Sequence, residues 1–514
     1  MIIQALTMSN ASDGINLERL ETVGDSFLKY SITAYLYCMF PSMHEGKLSY
    51  LRSTEISNAN LYQLGRSKNL GELMSATKFE PNDNWLAPGY TVTDTLSVTE
   101  QRDSNGNKKR EIDKALAEVP YDLLRQHSIP DKSIADCVEA MIGAYLTASG
   151  SRAALLFMRW LGLKVIPPTF DLDEDVKQYN EEVKDKIWRW LETPPSPLIC
   201  MEPYFADASI SQYHSIIRRD PKDELDRLYY ANNLDKFESD IGYSFKDKAY
   251  LVQAFTHNSF YENHVTDCHQ RLEFLGDALL DYLITRYLFE DPRCHSPGTL
   301  TDLRSALVNN TFFASLAVKY KFHKYLKFIS DELLHVIDGF VKKFRFDNTN
   351  VITKGYTLLI NEGESEYAED IEVPKALGDV FESVAGAIYL DSGMSLDQVW
   401  QVYFKMMKPE IEYFSSHVPK SPIRELLESK PQNVRFSPSE LAPDRKHRVV
   451  AEVFGLGRFT GVGRNKHSAK STAAKRALRM LAIRGNKQDD DGEEVDNDND
   501  TQDKDAIESE DNHE

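Results

Sequence analysis

The sequence is poor in cysteine, has no long apolar run and has no basic segment at its start. Only five of its 514 residues are cysteines: Cys38, Cys137, Cys200, Cys268 and Cys294. They are scattered, odd in number and form no Cys-x-x-Cys pair, which leaves no basis for a disulfide framework or a thiolate zinc site. Cys268-His269 and Cys294-His295 are read as ordinary dipeptides rather than metal ligands. No apolar stretch reaches the roughly 18 residues that span a bilayer. Met1-Ile2-Ile3-Gln4 lacks the basic segment and apolar core of a secretory signal. The expectation is a soluble, cytoplasmic protein with no membrane partner.

What is present is charge, unevenly spread. The formal net charge is −20. Residues 489–514 hold 14 acidic residues and one basic residue, whereas residues 419–485 hold 15 basic and five acidic. That split excludes a uniformly acidic chain and marks a basic module followed by an acidic tail. A hydrophobic content of 41%, with 11% aromatics, excludes global disorder. At about 150 residues per domain, the length suggests three or four domains.

The chain repeats itself. Glu18-Arg-Leu-Glu21-Thr-Val-Gly24-Asp25-Ser-Phe-Leu28 matches Gln270-Arg-Leu-Glu273-Phe-Leu-Gly276-Asp277-Ala-Leu-Leu280, at an offset of 252 residues (273 − 21). Gln4-Ala-Leu-Thr7 matches Gln253-Ala-Phe-Thr256. Asp136-Cys-Val-Glu139-Ala-Met-Ile-Gly143 matches Asp379-Val-Phe-Glu382-Ser-Val-Ala-Gly386. Three blocks in one order at nearly constant offset indicate a duplicated domain rather than a short-period solenoid. Leu17, Leu20, Phe27, Leu28 and Ile32 recur at helical spacing, as do Leu272, Leu275, Leu279, Leu280 and Leu283. Both copies are therefore expected to be helical, with Asp131 capping a helix ahead of the second block. Residues 167–233, with Pro194-Pro195-Ser196-Pro197, read as a linker carrying one or two helices.

Each copy holds four carboxylates at helical spacing. Glu21 with Asp25, and Glu273 with Asp277, are i and i+4. Asp136 with Glu139, and Asp379 with Glu382, are i and i+3. Each pair shares a helix face. Two such helices packed together make a cluster that needs a counter-charge. Oxygen-only ligands suit a hard cation, Mg²⁺ or Mn²⁺. The Asp-x-x-Glu motifs contain no His, which favours hydrolysis over di-iron chemistry. A lone pair of this kind usually marks a solvated helix face. Here the carboxylates sit inside apolar runs and recur in both copies, which that reading does not explain. Gly24, Gly143, Gly276 and Gly386 are read as points of close helix packing.

These motifs resemble the signature of the ribonuclease III family. Two such domains and a basic C-terminal module are similar to the C-terminal part of animal-type Dicers, and residues 40–52, 79–89 and 296–310 add to the likeness. The resemblance implies two mainly helical domains paired within one chain as a pseudo-dimer. Each would hold a Mg²⁺ centre, with Mn²⁺ able to substitute, and each would cut one strand of double-stranded RNA to leave 5′ phosphates. It places Glu21, Asp25, Asp136 and Glu139 in the first centre and Glu273, Asp277, Asp379 and Glu382 in the second. Lys132 and Lys375 match a lysine near the scissile phosphate. Small-RNA production then implies pre-miRNA or long double-stranded RNA as substrate, with a double-stranded RNA-binding protein and Argonaute as partners. The second copy departs from the bacterial pattern, with Gln270 for Glu18 and Pro297 for Glu45; both changes fit Dicers. The helicase, platform and PAZ domains of a Dicer have no counterpart. The expectation is a piece of a longer protein whose first domain is N-terminally incomplete. Drosha is the second choice, disfavoured by Asn82-Asp-Asn-Trp85 and Glu45-Gly-Lys-Leu48. A non-catalytic RNA scaffold is disfavoured by the presence of all eight carboxylates.

The basic module starts with a helix at Ser421-Pro422. Strands follow at 434–436, 447–454 and 459–462, then a helix over about 466–482. This α-β-β-β-α order resembles a double-stranded RNA-binding domain, with Lys466, His467 and Lys470 at a helix N-terminus suited to phosphate. Expected boundaries are residues 1–166 and 234–416 for the nuclease domains, 167–233 for the linker, 419–485 for the RNA-binding domain and 486–514 for a disordered tail.

Overall fold

The computed structural model describes residues 1–11, 14–76, 100–102, 108–110, 129–166, 221–346, 373–420, 422–429, 434–441, 446–463 and 465–490. The acidic tail past 490, residues 167–220 of the expected linker and the segment 79–89 lie outside them. The described residues fall into two compact units, one ending at Pro419 and the other beginning at Lys420. No described helix is long and apolar enough to cross a membrane.

In the first unit both copies are helical, as the periodicity implies. Helix α1 (Glu18–Met39) is followed by α2 (Glu45–Glu55) and packs along α3 (Asp131–Leu161). Leu20, Phe27, Leu28 and Ile32 of α1 share one buried core with Val138 and Ile142 of α3. Gly150, at φ +82°, breaks α3 into two helical stretches. The second copy repeats the plan with α4 (Gln270–Phe289), α5 (Pro297–Leu307) and α6 (Lys375–Asp391). Even an isolated bridge recurs, Thr7 with Ser75 and Thr256 with Lys327.

Two details differ from the sequence reading. Asp131 is the first residue of α3, and Pro130 takes the cap position, so the Asp131 side chain caps nothing. It still lies in the first turn, where the helix dipole favours a carboxylate. Residues 221–231, assigned to the linker, form a helix that packs on the Lys248–Ala254 helix of the second copy. Leu225, Leu228 and Tyr229 are buried there.

The two copies pair through reciprocal contacts, the mark of a pseudo-twofold axis. Arg271 (8% exposed) donates to the carbonyls of Tyr37 (3.1 Å), Phe40 (3.1 Å) and Met43 at the end of α1. Arg19 does the same at the end of α4, to Phe289 (3.0 Å) and His295. The Arg of each signature motif thus satisfies carbonyls that a helix C-terminus leaves open. On the axis Tyr30 stacks on its equivalent Tyr282, with centroids 5.3 Å apart and planes 9° off parallel. One residue before each, the symmetry breaks. Lys29 faces Asp281 at 3.1 Å. Two first copies paired in this way would set Lys29 against Lys29, and two second copies Asp281 against Asp281. The opposite charges therefore favour the mixed pair.

The second unit carries α7 (Pro422–Ser429) and a four-stranded antiparallel sheet of β1 (Val434–Phe436), β2 (Glu440–Leu441), β3 (His447–Val453) and β4 (Gly457–Gly463). β3 pairs with each of the other three strands. Helix α8 (Lys466–Asp490) packs on β3 and β4. At Gly461 a Cβ would lie 2.1 Å from the Ala469 carbonyl oxygen, so only glycine admits the helix this close. The sequence reading missed the two-residue β2 and ended α8 near 482. With no proline to stop it, the helix continues to Asp490.

Asp281 has a side chain only 3% exposed and is bonded by both Lys29 and Arg304. Replacing it with Asn removes the buried charge that Lys29 and Arg304 share and leaves them only Asp277 and Asp25, at an expected cost of ~3–5 kcal/mol. Removing the exposed Arg286–Glu290 pair should cost ~0–1 kcal/mol. Urea unfolding of Asp281→Asn and Arg286→Ala tests this contrast.

Candidate metal centres

Each centre forms where two helices cross at glycine. A Cβ on Gly24 would lie 1.8 Å from the Glu139 carbonyl oxygen, and one on Gly276 would lie 1.8 Å from that of Glu382. Gly143 and Gly386 meet the carbonyls of Leu20 and Leu272 from the other side. Backbone contact at these four positions brings the two carboxylate-bearing faces together, and any larger residue would hold them apart.

In the first centre, carboxylate oxygens of Glu21, Asp136 and Glu139 lie within 4.8 Å of one another. Lys132 binds both oxygens of Asp136 at 2.8 Å. Asp25 stands one turn along α1 and is bonded by Arg304 of the second copy at 2.6 Å. In the second centre Glu273 and Asp379 meet in the same way. Lys375 lies 3.0 Å from Glu273 and 3.4 Å from Asp379. Asp277 is bonded by Lys29 (3.0 Å) and Arg52 (3.2 Å) of the first copy. Asp277 and Glu382 share a pocket with Glu273, Asp379 and, from the first copy, Glu45.

The electrostatics are those of a site short of positive charge. Burial, and then Asp136, push Glu21 up to about 7. Burial and Glu273 push Asp379 up to about 7 against the pull of Lys375. Glu139 and Glu382 are driven well above the usual carboxylate range by burial, reinforced by Asp25 and Asp277 respectively. Asp281 is the opposite case. Burial opposes its ionisation, but Lys29 and Arg304 outweigh it and hold the carboxyl at about 2. Glu21, Asp136 and Glu139 share Lys132, and Glu273 and Asp379 share Lys375; oxygen-rich groups so short of positive charge fit a divalent cation, whose charge would allow all the carboxylates to ionise.

In the second unit Lys466 and His467 are exposed in the first turn of α8. Asn465 caps that turn by accepting from the Ser468 N–H at 2.8 Å. Lys470 lies one turn on, its Nζ 4.4 Å above the Phe436 ring.

Comparison with known proteins identifies the domains. The model of the ribonuclease III domain matches residues 18–150 and 270–393. That of the Dicer double-stranded RNA-binding domain matches residues 399–488. The chain belongs to the ribonuclease III family, with the organisation of a Dicer C-terminal region. Endoribonuclease Dcr-1 of Drosophila melanogaster is 51% identical across 94% of this chain and 23% of its own length. Endoribonuclease Dicer of Danio rerio is 44% identical across 94% of this chain and 31% of its own. The chain thus spans less than a third of either relative. Among solved structures, the nuclease domain of ribonuclease III from Campylobacter jejuni is 28% identical, covering 34% of this chain and 97% of that one at a TM-score of 0.25. Ribonuclease III domains imply dependence on a divalent metal.

Sequence reasoning missed three kinds of residue at these ribonuclease III centres. Arg52 and Arg304 hold the Asp of the opposite copy, and the same 252-residue offset relates them. Lys29 joins them from the axis. His269, set aside as half of an ordinary dipeptide, has a ring atom within 4.8 Å of the clustered oxygens of Glu273 and Asp379.

Two outcomes follow. Without metal, Glu21 and Asp379 titrate near 7 in the fold against their usual 4.5 and 3.8. The folded chain then binds more protons than the unfolded one across that window. This contribution to stability is full below about pH 4 and is lost as pH rises through about 7. A divalent cation requires the ionised forms, so the gap between melting temperatures with Mg²⁺ and with EDTA should widen from about pH 5 to about pH 8. A gap independent of pH would contradict the assignment. Gly276→Ala should cost ~1–3 kcal/mol through overpacking and weaken metal binding at the second centre more than at the first, as read by calorimetric titration.

Proposed function

We propose that this chain is the nuclease portion of a Mg²⁺-dependent endoribonuclease, with Mn²⁺ able to substitute, that cleaves double-stranded RNA, each centre cutting one strand. The observation that carries the reading is the pair of matching carboxylate clusters related by a pseudo-twofold axis. An antiparallel duplex has a twofold axis of its own and presents its two strands to such a pair in equivalent ways.

Glu21, Asp25, Asp136 and Glu139 would hold the ion of the first centre, and Glu273, Asp277, Asp379 and Glu382 that of the second. An ion held there would supply activation of a water and stabilisation of the leaving 3′ oxygen of an in-line displacement, with a 5′ phosphate as the product. Lys132 and Lys375 sit beside the carboxylates they neutralise, placed where a lysine could also meet the scissile phosphate. Arg52 and Arg304 fix the rotamers of Asp277 and Asp25. Lys466, His467 and Lys470 bind phosphates of the duplex without reading sequence. The pathway is small-RNA production and RNA silencing in the cytoplasm. Pre-miRNA or long double-stranded RNA is the substrate, and a double-stranded RNA-binding protein and Argonaute are the protein partners.

Strand-resolved cleavage of an end-labelled duplex tests this. With Mg²⁺, Asp136→Ala and Asp379→Ala should each lose the cutting of a different strand, by on the order of 100-fold or more, and EDTA should abolish both cuts. A wild-type chain that binds the duplex but cuts neither strand would overturn the proposal.

A further inference from the structure

One difference between the two centres is a ring. His269 occupies the N-cap position of α4, where the first copy has Leu17. The backbones are equivalent: the Leu17 N–H bonds the Thr7 carbonyl at 2.9 Å, and the His269 N–H bonds that of Thr256 at 2.9 Å. The side chains differ in chemistry. Leu17 is an apolar residue buried in the core of the first copy, whereas His269 brings a nitrogen to the carboxylates of the second.

The His269 ring is held as a ligand ring would be. The residue is 3% exposed. Its Nδ1 lies 3.0 Å from the Thr256 carbonyl oxygen. A carbonyl only accepts, so Nδ1 carries the hydrogen and Nε2 of the neutral ring keeps its lone pair. The His257 ring stacks behind it, with centroids 5.4 Å apart and planes 21° from parallel. Nε2 makes no hydrogen bond among the described residues and faces Oε2 of Glu273 at 3.7 Å. One ring nitrogen and one oxygen each from Glu273 and Asp379 lie within 4.8 Å of one another. Ligands on opposite sides of one small divalent ion stand about 4 Å apart. A histidine that donates one ring N–H to a carbonyl and turns the other nitrogen toward carboxylates has the outer-sphere arrangement typical of a metal ligand.

We propose that His269 Nε2 is a nitrogen ligand to the ion of the second centre, so that the two centres of one chain differ in metal preference. The first, built of oxygen alone, suits Mg²⁺. The second, with imidazole added, favours Mn²⁺ and the later first-row divalent ions. The inference rests on the reading that the carboxylate clusters hold divalent cations.

The test is pulsed electron paramagnetic resonance on the full chain, stripped with EDTA and reloaded with Mn²⁺. The expected result is hyperfine coupling from a directly bound nitrogen on part of the bound Mn²⁺. Asp136→Ala, which damages the oxygen-only centre, should raise that share. His269→Gln should abolish the coupling and weaken Mn²⁺ binding at the second centre by roughly tenfold or more, with a smaller effect on Mg²⁺. The coupling is read first in the wild type, so the outcome does not depend on a variant folding. Two bound Mn²⁺ without nitrogen coupling would overturn the ligand assignment and leave the metal centres standing. Failure to bind Mn²⁺ at all would overturn both.

Discussion

A single chain of alternating charges runs through the pseudo-twofold axis: Asp25, Arg304, Asp281, Lys29 and Asp277, each within 3.1 Å of the next. Its two ends are carboxylates of the two centres. Its middle member, Asp281, is buried and held ionised by the two cations that flank it. Neither centre is therefore the property of one domain. The acid of each is oriented by a basic residue from the other, and the pairing of the copies is a condition for both sites. A desolvated network of this kind contributes little net stability compared with an apolar one, but breaking any member is costly. What it secures is geometry and choice of partner.

The same interface settles the remaining polar groups. Arg19 and Arg271 cover the open carbonyls at the ends of α4 and α1, and Tyr30 with Tyr282 fills the space on the axis. The helix crossings at Gly24 and Gly276 then fix how near the carboxylates stand. These constraints press Glu21, Glu139, Asp379 and Glu382 into places where, without a cation, they favour their protonated forms. A cation bound there would supply the positive charge that these carboxylates lack.

Much of this was legible in the sequence, and for a physical reason. Carboxylates spaced at i, i+3 and i+4 in apolar runs state their own geometry once a helix is granted, and the repeat at 252 residues shows that two such sites exist. The cations that hold them were not legible. Arg52 and Arg304 lie in the stretches 40–52 and 296–310 that add to the family likeness, but nothing local says that another copy lies opposite. The offset held a usable signal: residues 29 and 281 are equivalent, and one is Lys while the other is Asp. His269 was hidden because it stands just outside the repeated motif and its counterpart is Leu17. The misassigned cap at Asp131 and the long α8 are errors of helix ends, where a carboxylate serves as well at the first helical position as at the cap, and where no proline marks the stop.

The central claim is that each centre is completed from the opposite domain, and Arg52→Ala tests it most directly. Arg52 lies in the first copy, its guanidinium over the Phe274 ring and bonded to Asp277 in the second. Cleavage of a duplex labelled on each strand in turn should slow at the strand that Asp379→Ala leaves uncut, and proceed unchanged at the strand that Asp136→Ala leaves uncut. Loss confined to the strand of the first centre, or equal loss on both, would contradict the account.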